Sequence, residues 1–207
     1  MNDITVYFIR HGESERNILP NLIGQDPNEK LTANGEVQAK KLGIFFKNNN
    51  IKFDDIYASS YARAYWTAEI VRNEFAPQQI IYNVPALREY SAGDMIDKKR
   101  EEVITLELQE RMSSLGMAFK FPNGESLYDV EQRAATWLND KIIFRPGKQT
   151  IAVFSHGMTI KCLIHHIMQF DQRMTWRLTL NNTSCSVFQF KQNMWWMRSI
   201  NDTRHLV

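Results

Sequence analysis

Ile4-Thr5-Val6-Tyr7-Phe8-Ile9-Arg10-His11-Gly12-Glu13 is the stretch on which the reading of this chain turns. Six apolar and β-branched residues in a row have the composition of a buried strand. The run ends in a cation, an imidazole and a glycine. Open α/β sheets bind their ligands outside the carboxyl ends of their strands. Glycine lets the backbone turn sharply or approach a ligand closely, and the planar guanidinium of arginine matches phosphate by charge and by donor geometry. A neutral imidazole is a potential nucleophile toward phosphorus. A histidine after a strand is also a common surface residue, so this segment alone leaves both readings open.

A second segment repeats the grammar. Thr150-Ile151-Ala152-Val153-Phe154 reads as another buried strand, followed by Ser155-His156-Gly157 and an apolar helical stretch at 158–168. If the two strands are neighbours, both imidazoles reach one anion. A pair of core histidines has no reason to repeat strand-His-Gly.

Around these two segments, strands and helices alternate. A loop at 15–30 carries the breakers Pro20, Gly24 and Pro27. Thr32 is placed to cap a helix reaching about 47, with Ala39, Leu42, Phe45 and Phe46 on one face. Next come a strand at 53–58, a helix at 61–75 and a short strand at 80–84. The charged stretch 97–112 is helical in pattern, and 125–140 reads as a further helix. Two strands at 184–190 and 194–200 close the chain. The alternation predicts a three-layer α/β/α sandwich with helices on both faces of a mostly parallel central sheet. We expect one domain over 1–207, with a lid-like insertion at about 90–125.

A chain of 207 residues is long enough for one sizeable core, and its net charge of +2 is too small to argue for nucleic acid or a membrane as partner. Cys162 and Cys185 have neither metal-ligand spacing nor a disulfide framework, which makes buried free thiols the default. The five histidines show no zinc spacing, and His165-His166 falls in an apolar helix. The absence of a transmembrane run and the early entry into a core strand lead us to expect a cytoplasmic enzyme.

In seven segments the chain resembles the histidine phosphatase superfamily, in the branch with the cofactor-dependent phosphoglycerate mutases. They are Phe8-Ile9-Arg10-His11-Gly12-Glu13-Ser14, Leu31-Thr32-Ala33-Asn34-Gly35, Ser59-Ser60-Tyr61-Ala62-Arg63-Ala64, Leu87-Arg88-Glu89, Pro122-Asn123-Gly124-Glu125-Ser126, Phe154-Ser155-His156-Gly157 and Asn182-Thr183-Ser184. They follow the family's order over nearly the whole chain. The resemblance implies a phosphoglycerate mutase-like fold and a phosphomonoesterase acting through a phosphohistidine, with no metal and no cofactor. It makes His11 the nucleophile, Arg10 and Arg63 the phosphate clamp, and His156 a further donor. Asn17 and Gly157 join the phosphate site, and Glu89 is the proton donor. Small phosphate esters or a phosphopeptide are the implied substrates, with inorganic phosphate as product and inhibitor. The oligomeric state is not implied.

Each assignment has a plainer rival. Asn17 is also a loop residue able to cap local backbone, Arg63 a solvated helix residue, and Glu89 an exposed loop carboxylate. Asp94 is the fallback acid, Glu13 is read as a support, and Glu125 either starts its helix after Gly124 or supports the active-site wall. Thr183 either holds the His11 region or starts a strand. In the mutases, the sector beyond the acid carries Arg-His-Tyr-Gly, where this chain has Tyr90-Ser91-Ala92-Gly93, and their Asn after the second His-Gly is Met158 here. Lys98, Lys99 and Arg100 could partly substitute. Mutase activity therefore stands second, and a non-catalytic phosphate-binding module on the same scaffold third.

Overall fold

The computed structural model of the chain describes residues 2–19, 21–24 and 26–207, so the breaker Pro20 lies outside the described residues. Six strands form one sheet in the order β3-β2-β4-β1-β5-β6. They are β1 (Asp3–Arg10), β2 (Asp55–Ser59), β3 (Ile81–Val84), β4 (Lys148–Ser155), β5 (Cys185–Lys191) and β6 (Met194–Asp202). The first four in sheet order run parallel, and β5 and β6 are antiparallel to their neighbours.

Both faces are covered, as the unbroken apolar strands require. Ile4, Val6, Phe8, Tyr57, Ile151 and Val153 point to one face, where they pack with α5 (Leu127–Leu138) and α6 (Gly157–Met168). Ile9, Ile56, Ala58, Ala152 and Phe154 point to the other, against α1 (Ala33–Asn48) and α2 (Ala62–Phe75). This period-two division is the physical content of the three-layer expectation. Thr32 caps α1 by accepting from Gly35 N at 3.0 Å. Ser126, rather than Glu125, begins α5, through a capping box with Asp129.

The stretch read as one helix over 97–112 is two. Residues Arg100–Val103 form α3, and Thr105 caps α4 (Leu106–Leu115) by accepting from Leu108 N. A threonine that bonds the backbone ahead of it favours a cap over a helix interior, and the periodicity of the charged residues hid the break. The short α7 (Arg173–Arg177) was not anticipated, because five residues carry no periodic signal. Residues 90–125 do not merely overhang the domain. Ala92, Phe119 and Phe121 form a small core of their own with Ile23, flanked by Tyr90, Met95, Ile104 and Met112.

Register sets the site. In the parallel β1–β4 pair, Arg10 lies opposite Ser155, so His11 and His156 leave the sheet side by side. The glycine after His11 is required by close approach. A Cβ on Gly12 would stand 2.6 Å from Gly35 O, and one on Gly35 would stand 2.0 Å from Glu13 O. The start of α1 is thus pressed against the His11 turn. Gly35→Ala, although alanine is the better helix former, should destabilise the protein by about 1–3 kcal/mol through overpacking and lower turnover. Urea denaturation with a parallel activity assay checks this.

Candidate active site

His11 is almost wholly buried, and its two nitrogens have distinct roles. Nδ1 lies 2.6 Å from Gly12 O, a carbonyl that can only accept, so Nδ1 carries the proton. Nε2 therefore presents its lone pair, toward which Arg63 Nε points at 3.3 Å. The peptide after His11 is pinned: Gly12 N donates to Thr67 Oγ1 at 3.0 Å, and that hydroxyl donates to Arg63 O at 2.6 Å. His11 O accepts from Thr183 N at 3.2 Å and Asn182 Nδ2 at 3.1 Å, so Thr183 holds the His11 region before β5 begins.

The His156 ring lies 5.2 Å from the His11 ring, centroid to centroid. Its Nε2 is 2.8 Å from Ser59 Oγ, which already accepts from Tyr61 N. That hydroxyl has one proton and a second lone pair, so it partners Nε2 in either neutral tautomer, and the ring's other nitrogen is Nδ1. That atom is buried without a partner among the described residues, as is Arg10 Nε. Arg10 is held from its other end by Nη1 donating to Leu180 O at 2.6 Å.

Arg63 stands in the first turn of α2, where the helix dipole disfavours a cation. Its side chain is fully buried and ion-paired with Glu29 at 3.3 Å. Burial lowers the pKa of both imidazoles well below the ordinary 6.5, and the cations add to it: Arg63 then Arg10 for His11, and chiefly Arg63 for His156.

Glu89 follows β3 and reaches the amino end of α6. Oε2 accepts from Met158 N at 3.1 Å, and Oε1 from Thr159 N at 3.1 Å and Tyr90 N at 3.0 Å. A Cβ on Gly157 would lie 3.6 Å from Arg10 Nε and 3.9 Å from Glu89 Oε2, so this glycine leaves the ground between the two open. Asn17 Oδ1 accepts from Ser14 N, Ser14 Oγ and Asn182 Nδ2, which turns its amide nitrogen away from those contacts. Asn17 and Glu89 line one cavity of about 380 Å³.

The structure thus gathers Arg10, His11, Arg63, His156, Gly157 and Glu89 at the ends of β1, β2, β3 and β4, with Asn17 on the adjoining cavity. Asp94 is elsewhere, exposed and bonded by Asn123 Nδ2. Glu13 accepts from Thr32 Oγ1 and Asn34 Nδ2. Glu125 takes both Arg88 and Arg133 and accepts from Ser91 N, supporting the wall behind Glu89. His165 bonds Glu131, and among the described residues no group of three or more His, Cys, Asp or Glu could hold a metal.

Three contributors were not legible in the sequence. Glu29 pairs with Arg63. Arg133 fixes the Glu89 segment by donating to Ala86 O at 2.6 Å and Glu89 O at 3.3 Å. His205 lies 2.8 Å from Thr183 Oγ1, which itself donates to Asn182 O, so His205 Nε2 is the donor. Thr183 is held at φ 55, a costly conformation for a β-branched residue.

The profile of the histidine phosphatase superfamily (branch 1) matches residues 6–203. The chain belongs to this family. A probable phosphoglycerate mutase, GpmB, from Serratia proteamaculans is 30% identical over 185 residues, covering 88% of this chain and 83% of that one. Phosphoserine phosphatase from Entamoeba histolytica in complex with 3-phosphoglyceric acid superposes with a TM-score of 0.82 at 27% identity, over 99% of this chain and all of the other. A variant of that enzyme bound to phosphoserine gives 0.80 at 26%, with the same coverage. A mixed α/β fold of the phosphoglycerate mutase type is thereby shown.

Two neutral buried imidazoles couple stability to pH with a definite sign. Their folded pKa values lie below the unfolded 6.5, so below that pH the unfolded chain binds more protons. Stability is complete above about 6.5 and falls as pH drops toward the depressed folded values. The slope should reach about 1.4 kcal/mol per pH unit for each histidine. His156→Asn should flatten it by one proton, as read from denaturant midpoints between pH 7.5 and pH 5.

Proposed function

We propose that this protein is a metal-independent phosphomonoesterase that works through a phosphohistidine on His11. The observation that carries the reading is the His11 ring itself. It is buried and neutral, its Nδ1 proton is committed to Gly12, and its Nε2 lone pair lies against Arg63. A nucleophile needs that protonation state, and phosphate needs those cations.

In the first half-reaction Nε2 forms a bond to phosphorus while the ester P–O bond breaks. The phosphate oxygens lie between Arg10 and Arg63, with His156 Nδ1–H and the Asn17 amide as further donors. Charge stabilisation and alignment supply most of the rate in phosphoryl transfer. Glu89 gives its proton to the leaving oxygen. In the second half-reaction the Glu89 carboxylate takes a proton from water, the water oxygen bonds to phosphorus, and the P–N bond breaks to restore neutral His11. The proton balance closes on Glu89. The likeness to a phosphatase that binds phosphoserine and 3-phosphoglyceric acid supports small phosphate esters as substrates.

A mutase is the second reading, favoured by the mutase names of relatives at 30–32% identity. It ranks lower because a bisphosphate intermediate needs further cations. Beyond the acid this chain offers Tyr90-Ser91-Ala92-Gly93, Lys99 is paired with Glu102, and of Lys98, Lys99 and Arg100 it is Arg100 alone that lines the cavity.

An acid-labile phosphoryl group should be trapped on His11 during turnover, and His11→Ala should abolish it. Glu89→Gln should slow hydrolysis of an alkyl phosphate by about 10²–10⁴-fold. Phosphoenzyme formation from an aryl phosphate, whose phenol leaves unaided, should suffer far less, so the variant accumulates phosphoenzyme and shows a burst. Equal losses on both substrates without accumulation would remove Glu89 from the acid role. Persistence of activity in chelator tests the metal-free mechanism. Bisphosphoglycerate-dependent interconversion of phosphoglycerates at rates above hydrolysis would establish the mutase instead.

A further inference from the structure

The Arg63 guanidinium is shared between the nucleophile and a carboxylate. Its Nε points at His11 Nε2 at 3.3 Å, while its Nη1 lies 3.3 Å from Glu29 Oε2. The other carboxylate oxygen, Oε1, accepts from Arg16 N. A negative charge thus stands one guanidinium away from the attacking nitrogen. The Glu29 side chain is only 5% exposed, so solvent ions screen it little. The backbone that delivers it is tied on both sides. Ala62 N, at the start of α2, donates to Pro27 O at 2.8 Å, and Glu15 N donates to Lys30 O at 3.2 Å.

Two accounts of this carboxylate differ in sign. As a counter-ion it compensates a buried guanidinium and keeps Arg63 in place, so losing it loosens the clamp. As a charge beside the phosphate site it opposes any arriving anion, because like charges in a poorly solvated site repel strongly. Placement alone does not call for a charge. Backbone carbonyls hold the other arginine, through Leu180 O, and the same Nη1 of Arg63, through Asp26 O at 3.2 Å. Glu89 also acts on both arginines. In the proposed cycle, however, Glu89 has taken a proton from water by the time inorganic phosphate forms. Glu29 then carries the negative charge set against the clamp.

We propose that Glu29 sets the anion affinity of the clamp, holding it low enough for product phosphate to leave. It acts through Arg63 rather than on the substrate, as a positioning residue whose charge matters as well as its hydrogen bonds. The inference rests on the phosphomonoesterase reading and deepens it, from how phosphate is captured to how it is released. Two arginines without an opposing charge would hold inorganic phosphate as firmly as the phosphate group of an ester. Glu29 offsets part of that attraction for substrate and product alike, and the benefit falls on the step in which an anion must depart.

The test measures sulfate, perchlorate and inorganic phosphate as competitive inhibitors of p-nitrophenyl phosphate hydrolysis. Sulfate and perchlorate are tetrahedral anions of similar shape that carry two charges and one. Glu29→Gln keeps an amide acceptor and removes the charge. It should lower the Ki of sulfate and of phosphate by about 10–100-fold, and that of perchlorate by only about 3–10-fold, because Coulomb energy is linear in ligand charge. A merely structural role predicts the opposite, a rise in all three Ki values. That rise, unchanged values, or equal tightening of sulfate and perchlorate would each overturn the proposal while leaving the phosphomonoesterase intact. If the variant is too unstable for kinetics, denaturant midpoints read the same linkage. Millimolar sulfate should then raise the variant's midpoint more than the wild type's, and more than perchlorate does; no extra stabilisation would overturn the proposal. A wild type that hydrolyses no ester, p-nitrophenyl phosphate included, would instead defeat the phosphomonoesterase reading.

Discussion

A guanidinium with no exposed surface, Arg63, sits against the lone pair of a buried histidine and beside a second buried histidine. Placing cations there without water is expensive unless opposite charge and hydrogen bonds compensate. The neighbourhood is arranged to do so. Glu29 meets Arg63, Leu180 O meets Arg10, and Glu89 lies near Arg10 across Gly157. The same cations, together with burial, keep both imidazoles neutral. Cation placement and the protonation state of the imidazoles are one electrostatic condition.

That condition depends on backbone held to tight tolerances. The His11–Gly12 peptide is gripped from three sides: Thr67 on α2, the Asn182–Thr183 turn before β5, and the close approach of Gly35 on α1. Glu89 is gripped in a similar way by the amino end of α6 and by Arg133 on α5. Elements from both faces of the sheet therefore converge on the ends of the parallel strands. A fold with helices on both faces supplies such convergence as a matter of topology. The left-handed Thr183, held by His205 from the chain's end, shows strain retained where it positions the site.

In the proposed function, chemistry and specificity are carried by different parts of the chain. His11, His156, Arg10 and Arg63 come from strand ends and a helix start. The cavity beyond them is built where the segment after β1 meets residues 90–125, with a small core separate from the two that flank the sheet. Under the proposed function, such a division lets the organic part of a substrate vary while phosphate handling stays fixed. It also fits a family whose members include both phosphatases and mutases.

Much of the fold was legible because its signals are local. Unbroken apolar runs give buried strands, Thr32 gives a cap, and two strands that each end in His-Gly announce one site. Arg10, His11, His156 and Gly157 follow directly from that grammar, and Arg63, Glu89 and Asn17 from the family's motif order. The tertiary structure alone decided what depends on partners distant in sequence. Strand order makes β1 and β4 neighbours, and it is this adjacency that brings two imidazoles within 5.2 Å of each other. Glu29 has no local mark of its pairing with Arg63, nor Arg133 of its grip on Glu89. Asp94, the fallback acid without motif support, is exposed, and packing turns it toward Asn123. The break between α3 and α4 escaped because helical periodicity and a mid-sequence cap look alike until the chain is packed. Side-chain chemistry is written residue by residue. Burial, charge pairing and protonation state belong to pairs of residues, and only the packed chain defines the pairs.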